Sequence, residues 1–425
     1  MEKKITGIGY PLKAKKDGFL GTSLLKLSIR LVGFFLAVGI LSSCQPKENS
    51  LLLQFQEDTP AHQPIWLSMA YQGDFIRLQD PKGNVQDFQA EYIPSASAYL
   101  CYLENEVPSQ TEILFTLTQE RQGAEDRISW KETDSTLTAY SHQDILSFHH
   151  KLAQPPAHSP SYYGRAGHIH PVYAPNGAVV TDGFPAGHTH QHGIFFAWVK
   201  TLFKGKEVDF WNQQKQSGDV RLDSLLTVED YQTVVLLQSK QSYVSLADGP
   251  VLSENLTLTV YPHPSYSVWD MSVLQTNISS DTLFLQKHLY GGLGVRGSKY
   301  WNQQDSLHFS SAAKFLTSEG LGKDSANHTR PLWTAIFGEI EGDTVGIAAF
   351  DHPDNPRFPT PVRVHPTMPY FSIAAPVVGP FHLPPDSTYE MKYRCMSFMG
   401  APDPRAFNKI GAAWSATPYI LTSNN

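Results

Sequence analysis

The chain has 425 residues, a net charge of −7, and 41% hydrophobic against 17% charged residues, a globular composition with room for two or three domains. Thirty Gly and thirty Pro exclude a helical bundle, while 12% aromatics with abundant Thr, Val and Tyr favour strands. No large basic block occurs beyond the N-terminus, which excludes a nucleic-acid groove built on clustered Lys and Arg.

Residues 1–44 read as a targeting signal. A leader rich in Lys precedes LVGFFLAVGIL at 31–41, an apolar run of 11 residues. That is too short to span a bilayer, which takes about 20. The run ends in Leu41-Ser-Ser-Cys44, which resembles a bacterial lipobox with Cys44 as the lipidated residue. Gln45 rather than Asp follows it, so inner-membrane retention is not indicated. The expectation is a cell-envelope protein, lipid-anchored to the outer membrane and touching the membrane only through that anchor.

Residues 45–50 form a polar tether. From 51 to about 130, apolar runs of strand length are punctuated by Gly73-Asp74, Pro81-Lys-Gly-Asn84 and Pro108-Ser109, and predict a small β-sandwich domain. The charged stretch 120–135 has no apolar period and marks the boundary. The remainder, 131–425, alternates over many long strands and predicts a large antiparallel β-sandwich, so the fold class is all-β. A hairpin is expected around Glu341-Gly-Asp343, and another around Pro175-Asn-Gly177 with a return strand over 178–181. Helical spacing after Pro404 predicts a helix over 403–416. Cys101 and Cys395 both lie in apolar strand contexts and read as two separately buried thiols.

The chemistry concentrates in residues 164–198, which hold five of the 17 His together with Arg165, Asp182 and six Gly. Imidazoles suit proton transfer and metal ligation near neutral pH, and glycines let backbone approach closely. His188, His190 and His192 alternate, as do His168 and His170. On an extended chain such i, i+2 pairs face one side, and two pairs meeting across a sheet would give a metal site from His168, His170, His188 and His190 for a divalent ion. The other readings are acid–base chemistry on a polar ligand, with His190 and His192 as the acting groups, and a purely structural cluster.

Further motifs follow. Tyr290-Gly-Gly-Leu-Gly-Val-Arg296 either lets a strand pass close under a ligand, with Arg296 as donor, or pairs Arg296 with a carboxylate of the scaffold. Glu319, beside Gly320, reads by itself as a surface turn and otherwise as an acid or base. Residues 350–361 place Asp351, His352 and Arg357 in a Pro-rich loop at a strand end, a rigid place to present catalytic groups. The tetrapeptide Trp-Asn-Gln-Gln occurs twice, at 211–214 and 301–304, so Trp211 and Trp301 either stack on sugar faces or anchor long loops.

Taken together, His170-Pro-Val-Tyr-x-Pro-x-Gly, Asp182-x-Phe-Pro-x-x-His188-x-His190-x-His192-Gly, Tyr290-Gly-Gly-Leu-Gly-x-Arg296, Thr317-Ser-Glu-Gly and Asp351-His-Pro-x-Asn-Pro-Arg357 resemble the PmoA-like family of secreted bacterial proteins. Gly187 departs from the family pattern, where Asp precedes the first His. The resemblance implies a β-sandwich in proteins linked to sugar breakdown, similar to the galactose-mutarotase supersandwich, in which His and Glu or Asp act on a sugar. On that basis His190, His192, Glu319, Asp351 and His352 are the expected catalytic groups. His170, Arg296, Arg357, Trp211 and Trp301 are expected to hold a carbohydrate-like small molecule. A metal-dependent oxygenase, lyase or hydrolase, and a non-catalytic glycan-binding module, stay open beside it.

Overall fold

The computed structural model describes residues 50–119, 128–416 and 419–422. The leader, Cys44 and most of the expected tether lie outside the described residues, as does part of the charged stretch 120–135.

Nearly every element is an antiparallel strand. The first sheet has seven strands in the order Pro64–Leu67, Ala98–Tyr102, Phe88–Ile93, Phe75–Gln79, Thr111–Gln119, Ser50–Phe55 and Tyr419–Thr422. Alternation explains its one-sided core. Leu51, Leu53 and Phe55 are buried against Ile76, Leu78, Ile113 and Phe115, while the residues between them face outward. The strand Tyr419–Thr422 pairs with Ser50–Phe55, so the chain returns to this sheet at its end. The only α-helix among the described residues is Pro404–Ser415, close to the predicted span. Pro404 opens it, and the Asp403 carboxylate accepts from the amides of Arg405 and Ala406.

Two eight-stranded sheets form the larger part. One has long strands in the order Gly218–Asp230, Val235–Ser245, Gly249–Tyr261, Ser267–Asn277, Thr388–Met399, Asp343–Asp351, Trp333–Ile340 and Lys314–Thr317. The other runs Val362–Val364, Tyr370–Ile373, Gly292–Arg296, Ile194–Ala197, Ile169–Val172, Asp144–His149, Thr136–Tyr140 and Ser129–Glu132. Both contribute to one continuous apolar cluster, with Ile194, Val295 and Phe371 from the second and Leu256, Leu258 and Ile347 from the first. The all-β sandwich expectation therefore holds. Cys101 and Cys395 are buried and unbridged.

The hairpin at Glu341-Gly342 forms as expected, with both residues at positive φ of 53° and 93°, the conformation of a two-residue type I′ turn. The hairpin at 175–177 forms only its turn. Its return segment makes isolated bridges, Val179 to Tyr173 and Thr181 to Gly297. The Thr181 hydroxyl is drawn instead to the Val172 amide and the His170 ring.

Candidate functional site

Register decides which side chains meet. In the second sheet Arg296 pairs with Tyr370, Gly294 with both Ser372 and Phe195, and Ser372 with Arg363. Paired residues in an antiparallel ladder share a face, so Phe195, Gly294, Arg296, Tyr370, Ser372 and Arg363 all project to one side. The intervening set, including Ile194, Phe196 and Val295, faces the long-stranded sheet. Trp198 continues that set, and its indole donates to Gln275 of that sheet at 2.7 Å. The Arg296 face is therefore turned away from the long-stranded sheet.

The histidine segment folds over this face. Residues 185–191 are two consecutive turns rather than a strand, with the amide of His188 bonded to the Pro185 carbonyl and that of Gln191 to the His188 carbonyl. Gly187 and Gly193 at φ of +80° and +63° supply the bends. The extended-chain geometry behind the shared-metal reading is thus replaced by a split. The rings of His188 and His190 lie 5.5 Å apart and His365 lies 5.6 Å from His188. His192 turns inward, fully buried, with its Nε2 bonded to Gln213 Oε1 at 2.9 Å and its ring 5.4 Å from that of His168.

His188, His190 and His365 line a cleft of about 260 Å³ together with Gln191, Asn212, Gln214, Tyr290, Arg363 and Tyr370. Beneath it Arg296, fully buried, donates from Nη1 to Gln191 Oε1 at 3.0 Å. Trp211 packs behind, against Phe195, Tyr290 and Tyr370. Burial pushes the His190 and His365 rings down to about 4, helped by His188 beside His190 and by Arg363 beside His365. Burial also lowers His188. The imidazoles are thus neutral at pH 7 and able to accept a proton. Burial lowers Arg296 only to about 10, so it keeps its charge.

The structure brings His188, His190, Arg296 and Trp211 together and disperses the other predicted residues. His168 and His170 line a second, larger cleft of about 830 Å³ with Asp182, Lys299 and Glu341. The His168 ring is buried with both nitrogens unpartnered and stacks on His149 at 4.4 Å. Glu319 sits on an exposed turn after Lys314–Thr317. Asp351 is buried and spent on Asn355 Nδ2 and the Thr360 amide, both at 2.7 Å. His352 lines a third cleft of about 280 Å³ beside Trp66, Tyr261, Arg394 and Trp414. Arg357 is a clamp, giving its guanidinium to the carbonyls of Ala375, Gly379 and Pro380. Trp301 is buried, with Nε1 bonded to the Glu339 carbonyl at 3.2 Å. Both repeated Trp residues are anchors, and neither presents a face to solvent. Among the described residues no group of three or more His, Cys, Asp or Glu side chains is arranged to hold a metal ion.

Arg363, Tyr370 and Gln191 were not singled out from the sequence. The available signal was a charged residue inside the apolar strand Val362–Val364, which marks a position facing a polar site.

The model of a family of unknown function, DUF6807, matches residues 134–411. No curated protein matches the chain in sequence. Among solved structures, a galactose mutarotase related enzyme from Lactobacillus acidophilus is similar at 10% identity and a TM-score of 0.30, over 64% of this chain and 97% of that one. A GH36 α-galactosidase from Geobacillus stearothermophilus is similar at 10% identity and a TM-score of 0.30, over 78% of this chain. A second from that organism, in complex with raffinose, is 13% identical over 77% of this chain, with a TM-score of 0.24. The match spans 40% of the length of each α-galactosidase.

Proposed function

We propose that this chain, which belongs to the DUF6807 family, is an envelope lipoprotein that binds a carbohydrate or sugar derivative in the cleft at His188, His190 and His365 and transforms it by proton transfer. The observation that carries this reading is the convergence of three imidazoles, held neutral by burial, with arginine, amide and phenol groups around one cleft. Amides and phenols satisfy hydroxyls in both directions. A neutral imidazole takes a proton from one atom of the ligand and, as the imidazolium so formed, returns that proton to another. The base role expected of Glu319 or Asp351 falls to His190 in this reading. The PmoA-like resemblance of the motifs agrees with a sugar ligand, and the leader with lipidation at Cys44.

Titration calorimetry with a panel of mono- and oligosaccharides tests binding. Wild type is expected to bind at least one member, and His190→Ala to bind it at least tenfold more weakly while melting as wild type does. No binding by wild type across the panel removes the proposal. Cys44→Ala is expected to abolish incorporation of labelled fatty acid. One observation favours capture without turnover, namely that no carboxylate lines the cleft. Following a bound sugar by NMR separates the two, since an unchanged ligand after long incubation leaves a binding module.

A further inference from the structure

We infer that the ligand of the His188–His190–His365 cleft carries a carboxylate, as a uronic or other sugar acid does. The inference rests on the reading that this cleft takes a sugar, and it names the class.

Charge comes first. The lining residues include Arg363 and three His but no Asp or Glu. Lys323 and Arg296 also act electrostatically on His365. The two carboxylates behind the cleft are committed elsewhere. Asp209 is fully buried and accepts from the amides of Trp211 and Asn212, from Asn212 Nδ2, and from Lys215 Nζ at 2.9 Å. Asp182 offsets part of the Arg296 charge from the side of the larger cleft, whose wall it forms. The cleft itself keeps an excess of positive charge.

Unspent donors come second. Arg296 uses Nη1 on Gln191, but its Nε and Nη2 are buried without a partner. The Trp211 Nε1 and the His188 Nδ1 are likewise buried and unpartnered. A buried donor left unmade costs about 1–3 kcal/mol, more for a charged group; of these groups His188, a donor at Nδ1 in one tautomer, belongs to the cleft wall, and Arg296 and Trp211 lie behind it. A neutral sugar brings hydroxyls, which need acceptors as well as donors. A carboxylate only accepts, and a guanidinium presents the planar fork that suits it. The Arg363 side chain is placed for that role: it lines the cleft, and its Nη1 is steadied by Asn327 Oδ1 at 3.0 Å.

Matched pairs test this: glucose against glucuronate and galactose against galacturonate, with acetate as a carboxylate that is not a sugar. Calorimetry at pH 7.5 is run on the full chain, on Arg363→Gln and on Arg363→Lys. The expected result is that a sugar acid binds at least tenfold tighter than its neutral partner. Arg363→Gln is expected to remove most of that preference and Arg363→Lys to keep part of it, with both melting as wild type does. Raising NaCl from 50 to 500 mM is expected to weaken the acid and leave the neutral sugar unchanged. Neutral sugars binding as tightly as their acids overturn the inference and leave the sugar reading standing. Acetate binding with no sugar bound at all does the reverse. Binding of none of these overturns both.

Discussion

Gly294→Ala probes the packing on which the cleft depends. Gly294 lies inside the strand Gly292–Arg296, on the same face as Arg296. A methyl there would sit 2.7 Å from Trp211 Cη2 and 3.1 and 3.2 Å from Phe195 Cε1 and Cζ. Carbon atoms prefer about 3.5–4.0 Å, so the overlap with the indole is close to 1 Å. Trp211 has nowhere to retreat. It is fully buried, wedged by Phe195, Tyr290 and Tyr370, and its amide is tied to Asp209. Overpacking of this kind costs about 1–3 kcal/mol, against the roughly 0.5–1 kcal/mol that replacing a mid-strand glycine otherwise returns. A net loss of about 1–2 kcal/mol is expected, and the displaced indole presses on Tyr290 and weakens ligand binding. Gly322→Ala is the control, since its nearest neighbour would be at 3.7 Å. Urea unfolding followed by tryptophan fluorescence reads the midpoint at constant m-value. A Gly294→Ala protein as stable as Gly322→Ala, with unchanged binding, would refute the packing argument.

Four further outcomes are expected. Burial pushes the His170 and His190 rings down to about 4, below the usual 6.5, so the unfolded chain takes up protons first as pH falls. Stability is then undisturbed above pH 6.5 and lost between 6.5 and about 4, by about 3 kcal/mol for His190; a flat profile in urea titrations over that window contradicts the burial. Arg357→Ala uncaps three carbonyls and is expected to cost about 2–3 kcal/mol with ligand affinity unchanged, read by unfolding and calorimetry on one sample. Trp301→Phe loses the bond to Glu339 and about 1 kcal/mol with binding intact, whereas Trp211→Phe weakens binding, and equal effects would remove the distinction drawn between the two indoles. Glu319→Gln is expected to change stability by less than about 0.5 kcal/mol and turnover not at all; a lost activity would return Glu319 to the site.

Period-two alternation made strands such as Ser50–Phe55 and Ser267–Asn277 legible, because they bury alternate residues, whereas Ile194–Ala197, Gly292–Arg296 and Tyr370–Ile373 are buried on both faces. The helix was legible from Pro404 and the apolar spacing that follows it. The site was only half legible. Spacing identified the histidine segment but not its conformation, since whether His188, His190 and His192 share a side depends on the turns that Gly187 and Gly193 permit. The Pro-rich loop misled for a physical reason. Asp351 is spent on Asn355 and the Thr360 amide within the loop, while Asn355 and Arg357 tie the loop to its neighbours, through the Lys392 backbone and the carbonyls of Ala375, Gly379 and Pro380. A dense polar loop looks the same in sequence whether its groups face a ligand or each other. Arg363 and Tyr370 were hidden for another reason: they reach the cleft through cross-strand register with Ser372 and Arg296, and pairing between strands leaves no mark on local spacing.

The repeated tetrapeptide shows what holds the imidazoles. In each copy the indole is buried and the amides reach the histidine segment from opposite ends. Gln213 meets the His192 ring and Gln214 lines the cleft, while Asn302 Nδ2 donates to the Ala186 carbonyl at 3.1 Å and Gln304 abuts Gly187. This accounts for the glycine at 187. At φ +80° a side chain is strained, and a Cβ would collide with the Gln304 amide oxygen. The frame around His188 and His190 is therefore built mainly from neutral amides and buried indoles, with one ion pair, Lys215 to the fully buried Asp209, behind it. Salt screens charges but not such a frame, so any ionic-strength dependence of binding reports the ligand's charge and not a loosening of the site.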